Sequence, residues 1–301
     1  MRRWMFKAAV LAALAAGVIA SPAVAQSPSA QPASPQPAPV TIGVLAKPCD
    51  ALPPMPPEVA DYMARLKAAQ ADHKPMPLPT PAAMGLYTRW QAARQKSDFG
   101  DLCHYAADNA ALGPATPERV VFFGDSITEL WKMQDPGAFT GEVLDRGVSG
   151  QTTAQMLIRY REDVINLHPR VVHIMAGTND IAGNTGPTSI AWIENNIRTM
   201  VEQAKANHIR VVLASIPPTA KFTWAPTLKP IESIRTVNAW LAAYAREQGL
   251  VYVDYYAALD DGQHGFKPAW TIDGVHPNAS GYAVMDPLAK KAVQQAMTSG
   301  R

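Results

Sequence analysis

The sequence predicts an α/β fold built on a parallel sheet with helices on both faces. Three observations lead there. Short apolar runs lack strict polar alternation, helix-length segments separate them, and 48% of the 301 residues are hydrophobic against 17% charged, enough for one sizeable core. The runs are Val120–Phe123, Val171–Met175, Val211–Ile216 and Leu250–Tyr255. A strand with one wet face alternates apolar and polar residues. These do not, so both faces are expected to be covered. Helical patterns follow at about Thr153–Asn166, Ile190–Asn207 and Ile234–Gln248, with a last helix near Ala279–Met297. In such sheets ligands bind beyond the carboxyl ends of the strands.

This domain is expected over residues 118–301, and residues 41–117 read as a helical prefix packed on it. From Pro56 onward, Val59, Tyr62, Met63 and Leu66 share one helical face, with Asp61, Arg65 and Lys67 off it. A Pro-broken stretch, Lys74–Pro81, precedes a second helix at about Ala82–Lys96 carrying Leu86, Tyr87 and Trp90. Packing, or a share in a substrate wall, are the two roles open to the prefix. Residues 26–40 are rich in Pro, Ser, Ala and Gln and uncharged, which predicts a linker.

Residues 1–25 have the pattern of a secretory signal: positive Arg2, Arg3 and Lys7, an apolar run Ala8–Ala20, and the small-residue site Ala23-Val24-Ala25. The alternative is an uncleaved membrane anchor, although the run is short for a spanning helix. Arg2-Arg3 also fits a twin-arginine export signal. The expectation is a periplasmic or secreted protein with no stable membrane insertion once the signal is removed. The formal charge of +2 includes the three positive residues of that segment, so the remainder carries about −1 and makes no electrostatic case for nucleic acid. In an oxidising compartment Cys49 and Cys103 can form a disulfide, worth about 4 kcal/mol in the chain-entropy model. Two unpaired thiols are the alternative.

Four blocks carry chemistry. Val120–Phe123 runs into Gly124-Asp125-Ser126, a strand-to-helix turn that exposes Ser126 near a helix N-terminus, where serine is also an ordinary cap. Near the other end lies Asp273-Gly274-Val275-His276-Pro277-Asn278. A serine hydroxyl needs a base, and histidine has the pKa for that work. An aspartate three residues earlier can fold back onto the second ring nitrogen, or else merely cap a turn. Gly150 leads into a helix and can bring its backbone N–H to a ligand. Asn179, in Ala176-Gly177-Thr178-Asn179-Asp180, places an amide at another strand end. Together Ser126, Gly150 and Asn179 offer donors for a tetrahedral oxyanion.

Ser126, Gly150, Asn179 and the Asp273/His276 pair, in that chain order, resemble the four blocks of the GDSL, or SGNH, hydrolases over roughly residues 119–297. Ile127 stands where the family name has Leu, a like-sized swap. The resemblance implies a flavodoxin-like three-layer α/β/α fold and ester hydrolysis through an acyl-enzyme. Ser126 would be the nucleophile, His276 the general base, Asp273 its orienter, and no metal or organic cofactor would be required. It implies a small-molecule, glycan or lipid ester as substrate. Exported relatives of this kind include carbohydrate deacetylases, and the blocks are also similar to lysophospholipase and platelet-activating-factor acetylhydrolase relatives. No long exposed apolar run argues for a lipid surface, which favours short acyl groups. A lysophospholipase or thioesterase, an O-acetyltransferase and a non-catalytic binding module remain the alternatives.

Among the remaining residues, His173 is expected to be a core histidine. His264 competes with His276 for the role of base but lacks the Asp-x-x spacing. Asp125 and Asp180 are expected to anchor turns. Phe222 and Trp224, in the loop Pro217–Pro230 after a strand end, either line the acyl or alcohol site or pack beneath the loop.

Overall fold

The computed structural model describes residues 43–71, 77 and 80–298. The segments expected to be signal and linker, residues 1–25 and 26–40, lie outside them. Leu45–Arg301 forms one compact unit. The prefix supplies α1 (Pro57–Ala71), α2 (Pro81–Ser97) and α3 (Ala106–Ala111). Cys49 and Cys103 are joined by a disulfide that ties its start to its end.

The alternating region then runs β1 (Val120–Gly124), α4 (Ser126–Gln134), β2 (Val143–Gly147), α5 (Thr153–Asp163), β3 (Val171–Met175), α6 (Thr178–Ile181), α7 (Ile190–Ala206), β4 (Arg210–Ala214), α8 (Ile231–Glu247), β5 (Val251–Val253), α9 (Tyr255–Leu259) and α10 (Ala279–Thr298). The sheet order is β2-β1-β3-β4-β5, and every pairing is parallel. Successive residues of β1 serve opposite faces. Val121 and Phe123 join the cluster under α5, α7 and α8, while Val120 and Phe122 join the one under α4 and α10. Two covered faces account for strands that are apolar throughout.

The four expected strands are present, with ends within two residues of those expected. β4 runs from Arg210 to Ala214; Ser215 N–H still reaches Val253 O at 3.0 Å, and Ile216 N–H then turns to Asn238 Oδ1 at 2.8 Å. β5 stops at Val253 because Asp254 caps α9, accepting from Ala257 N–H at 3.0 Å. A fifth strand, β2, was not expected. Its Asp145 and Arg146 interrupt any apolar run, yet both are buried. Asp145 accepts from Gly147 N–H at 2.7 Å, and Arg146 Nε donates to Asn109 Oδ1 at 2.8 Å. Burial and the Glu129 charge push Asp145 up to about 7, against its backbone hydrogen bond and the Lys132 and Arg146 charges.

Candidate active site

The carboxyl ends of β1, β2 and β3 bring the motif residues together. Gly124 and Gly147, paired at the ends of β1 and β2, let α4 pack directly on the strand ends. A Cβ on Gly124 would lie 2.0 Å from Thr128 Oγ1, and one on Gly147 would lie 2.2 Å from Glu129 N. Asp125, not Ser126, is the N-cap of α4, its Oδ1 accepting from Ile127 N–H at 2.9 Å. Ser126 is thereby released from capping and opens the helix at 9% exposure.

Ser126 Oγ lies 2.9 Å from His276 Nε2, and His276 Nδ1 lies 2.8 Å from Asp273 Oδ2. The other oxygen of Asp273 accepts from Val275 N–H at 3.0 Å and His276 N–H at 2.9 Å. The aspartate therefore does both things its sequence allowed, capping the turn with one oxygen and holding the ring with the other. Burial would raise its pKa, but the hydrogen bonds and charge of His276 and the turn N–H groups hold it below the usual value. A carboxylate only accepts, so the proton sits on Nδ1 and the Nε2 lone pair faces the serine hydroxyl.

The amide of Asn179 sits beside this line. Its Nδ2 donates to Gln151 O at 3.0 Å and to Asp125 Oδ2 at 3.2 Å, while its Oδ1 accepts from Asn184 Nδ2 at 2.8 Å. Asn184 Nδ2 also donates to the carbonyl of Gly150 at 3.1 Å. Gly150 has φ +80°, a conformation glycine adopts without strain. Among the described residues the N–H groups of Ser126 and Gly150 meet no acceptor, whereas both Nδ2 hydrogens of Asn179 have one. Burial lifts the Asp125 carboxyl to about 6, opposed by the Ile127 N–H bond and the His276 charge.

The other expectations divide. Asp180 anchors a turn, accepting from Thr153 N–H at 2.8 Å and its hydroxyl at 2.6 Å. His264 lies against Tyr256 Oη at 3.1 Å and takes no part in the serine line. Of the two aromatic residues in the Pro217–Pro230 loop, Trp224 is 45% exposed. Its ring centroid is 6.2 Å from that of His276, and its indole N–H donates to Asn184 Oδ1 at 3.2 Å. Phe222 takes the packing alternative: it is fully buried with Ala182 and Val275.

Sequence reasoning missed Asn184, Gln151 and Arg159. The Arg159 guanidinium is wholly buried. It donates to Gly124 O at 2.8 Å, Arg146 O at 2.9 Å, Gln151 Oε1 at 2.5 Å and Asp163 Oδ2 at 2.9 Å. Nothing local to α5 signals an arginine that holds the ends of β1 and β2. Asn184 stands in a Gly-containing turn, where asparagine is ordinary.

The fold is shared with solved structures. A GDSL-like lipase from Bacteroides thetaiotaomicron aligns at 43% identity and TM-score 0.64, covering 66% of this chain and 99% of that one. Acetylxylan esterase of Geobacillus stearothermophilus is 25% identical over 209 residues, 56% of this chain and 90% of that protein. An uncharacterized lipoprotein of Bacillus subtilis is 32% identical over 119 residues, 34% of this chain, which spans about half that lipoprotein's length (49%). Residues 122–284 match the GDSL-like Lipase/Acylhydrolase family, more than half of the chain, which therefore belongs to that family and is a serine ester hydrolase.

Proposed function

We propose that the chain is an exported hydrolase of short-acyl carboxylic esters, acetylated carbohydrate being the substrate class, and that it works through an acyl-enzyme on Ser126. The observation supporting this most strongly is the unbroken line Ser126 Oγ, His276, Asp273 at 2.9 and 2.8 Å. Ser126 Oγ attacks the ester carbonyl carbon as its proton passes to His276 Nε2, and the imidazolium is stabilised by Asp273. Collapse of the tetrahedral adduct breaks the bond to the alkoxy oxygen, which leaves as an alcohol with the proton from His276. A water then gives a proton to His276 and attacks the acyl carbon, and the acid departs as Ser126 regains its proton. The N–H groups of Ser126 and Gly150 meet the oxyanion directly. Asn179 joins them by exchanging its longer contact, the 3.2 Å bond to Asp125, for the oxyanion.

The acetyl-carbohydrate reading draws on the relative that is an acetylxylan esterase and on the exposed Trp224 ring beside His276, a flat face suited to a sugar. Export rests on the signal pattern of residues 1–25, with residues 26–40 as linker, 41–117 as prefix and 118–301 as hydrolase domain. Among the described residues no helix is long and apolar enough to cross a membrane. The test is hydrolysis of an acetylated oligosaccharide, a long-chain ester and a lysophospholipid by the wild type and by Ser126→Ala. Acetyl-selective activity lost in the variant is expected. Preference for long chains would move the substrate to acyl lipids, and activity surviving in Ser126→Ala would reject the mechanism.

A further inference from the structure

The turn from β2 to α5, residues 147–151, carries Gly150, and the segment 99–105 of the prefix grips it. The Tyr105 hydroxyl donates to Gly147 O at 2.5 Å. Gln151 Nε2 donates to Gly100 O at 2.9 Å, and Gln155 Nε2, one helical turn on, to Phe99 O at 3.0 Å. Gly100 is buried so tightly on α5 that a Cβ there would lie 2.5 Å from Ile158 Cγ2. Tyr105 is buried as well, its ring 4.7 Å from the Arg146 guanidinium. Cys103, between Gly100 and Tyr105, is bonded to Cys49.

A second hold reaches the same turn from α4. Glu129, three residues after Ser126, accepts from Ser149 N–H at 2.7 Å and from the Ser149 hydroxyl. Its other oxygen faces His104 Nε2 at 3.7 Å, and His104 Nδ1 lies 3.2 Å from Asp101. The residues before and after Gly150 in the turn are thus fixed, while its own N–H meets no acceptor among the described residues. A glycine turn left to itself has a wide choice of backbone angles. An oxyanion donor is effective only when it is aimed in advance. The grip comes from outside the segment that matches the family, which begins at residue 122.

We infer that Tyr105 is a positioning residue for ester hydrolysis: through the Gly147 carbonyl it sets the direction of the Gly150 N–H, and the Cys49–Cys103 bridge keeps it in place. The inference rests on the oxyanion role proposed for Gly150. It gives the prefix a part in catalysis without contact with substrate. A group that acts only through an oxyanion donor affects the transition state and leaves substrate binding alone, so its loss lowers kcat and spares KM.

The test uses the full chain and Tyr105→Phe, which keeps the ring and its place over Arg146 and removes only the hydroxyl. On an activated acetyl ester, kcat is expected to fall about tenfold, a fraction of the roughly 100- to 1000-fold attached to losing a donor outright. KM should stay within about twofold, and the pH midpoint of kcat/KM should not move, because the His276–Asp273 pair is untouched. Glu129→Gln is the second handle, should Tyr105→Phe fold poorly. The smaller kcat loss expected there, again at constant KM, would support the same conclusion. Unchanged kcat in folded Tyr105→Phe, or a change confined to KM, overturns the inference, and where Tyr105→Phe does not fold, unchanged kcat in Glu129→Gln does so. Ser126→Ala and Asn179→Ala run alongside. If these two lose activity as expected while Tyr105→Phe does not, the positioning role alone falls. If Ser126→Ala keeps activity, the underlying mechanism falls with it.

Discussion

His173 offers a stability test with a definite sign. Its ring is wholly buried in the middle of β3, stacked on Phe122 at 4.6 Å between centroids, with Nε2 2.9 Å from Tyr255 Oη. Its Nδ1 has no partner among the described residues. Burial lowers its pKa from 6.5 to about 3. The folded protein therefore keeps the ring neutral at pH values where the unfolded chain takes up a proton. Below about 6.5 the unfolded state binds more protons, so this contribution is intact above that pH and is lost progressively as pH falls towards 3. At pH 5 the loss is about 1.5 pH units times 1.36 kcal/mol, or about 2 kcal/mol. His173→Phe removes the titration and retains an aromatic ring. It strands the Tyr255 hydroxyl at a cost of about 1–3 kcal/mol that does not vary over this range. Urea unfolding at pH 7 and pH 5 measures both proteins. The wild type should lose about 2 kcal/mol more between the two than the variant does. Asp125 and Asp145, raised to about 6 and about 7, titrate in both proteins and cancel in the comparison. Equal losses would mean that the ring titrates alike folded and unfolded, and the argument from burial would be wrong.

Other substitutions probe the site and its frame. Asn179→Ala should reduce kcat by about 100- to 1000-fold, close to 3 kcal/mol of transition-state stabilisation, read by steady-state kinetics on an acetyl ester. Arg159→Met should cost about 3–5 kcal/mol in urea unfolding, because Asp163 keeps a buried charge with its cation gone; adding Asp163→Asn should recover part of that. Removing the Cys49–Cys103 bridge, which spans a sequence separation of 54, should cost about 4 kcal/mol by the chain-entropy estimate. Melting the protein with and without reductant checks it, and an unchanged melting temperature would count against that estimate.

What could be read from the sequence was what is decided within a few residues. The four apolar strands were visible because both faces of each meet a core, as the alternate assignment of Val120 to Phe123 makes plain. The Asp273/His276 pair was visible because an Asp-x-x turn closes on itself, its bonds spanning three residues at most. β2 was hidden because the partner of Arg146 is Asn109, 37 positions upstream in a short prefix helix. The holders of the site were hidden for the same reason. Tyr105 acts 42 positions away on Gly147, and Asn184 acts 34 positions away on Gly150. Phe222 and Trp224 looked alike in a loop near a strand end. Only packing separates the one that turns under Val275 from the one that faces out beside His276.

Those distant contacts also explain how the functional residues leave the sheet. At the ends of β1 and β2 the chain must abandon the ladder so that Ser126 and Gly150 can face outward. The Gly124 carbonyl still accepts from Val148 N–H at 3.1 Å as the two strands end. Arg159 adds a charged donor to the carbonyls of Gly124 and Arg146, and its charge is balanced by Asp163 on the next turn of α5. Its Nε donates to Gln151, which also reaches Gly100 of the prefix and offers its own carbonyl to Asn179. One buried cation thus ties two strand ends, the Gly150 turn and the Asn179 amide into a single frame. Arg159→Met should therefore lower kcat as well as stability even where the variant remains folded. Arg198→Met, a cation on α7 over Trp240 and Tyr244 of α8, should leave kcat alone. A folded Arg159→Met with full kcat would show that the strand ends hold their geometry without it.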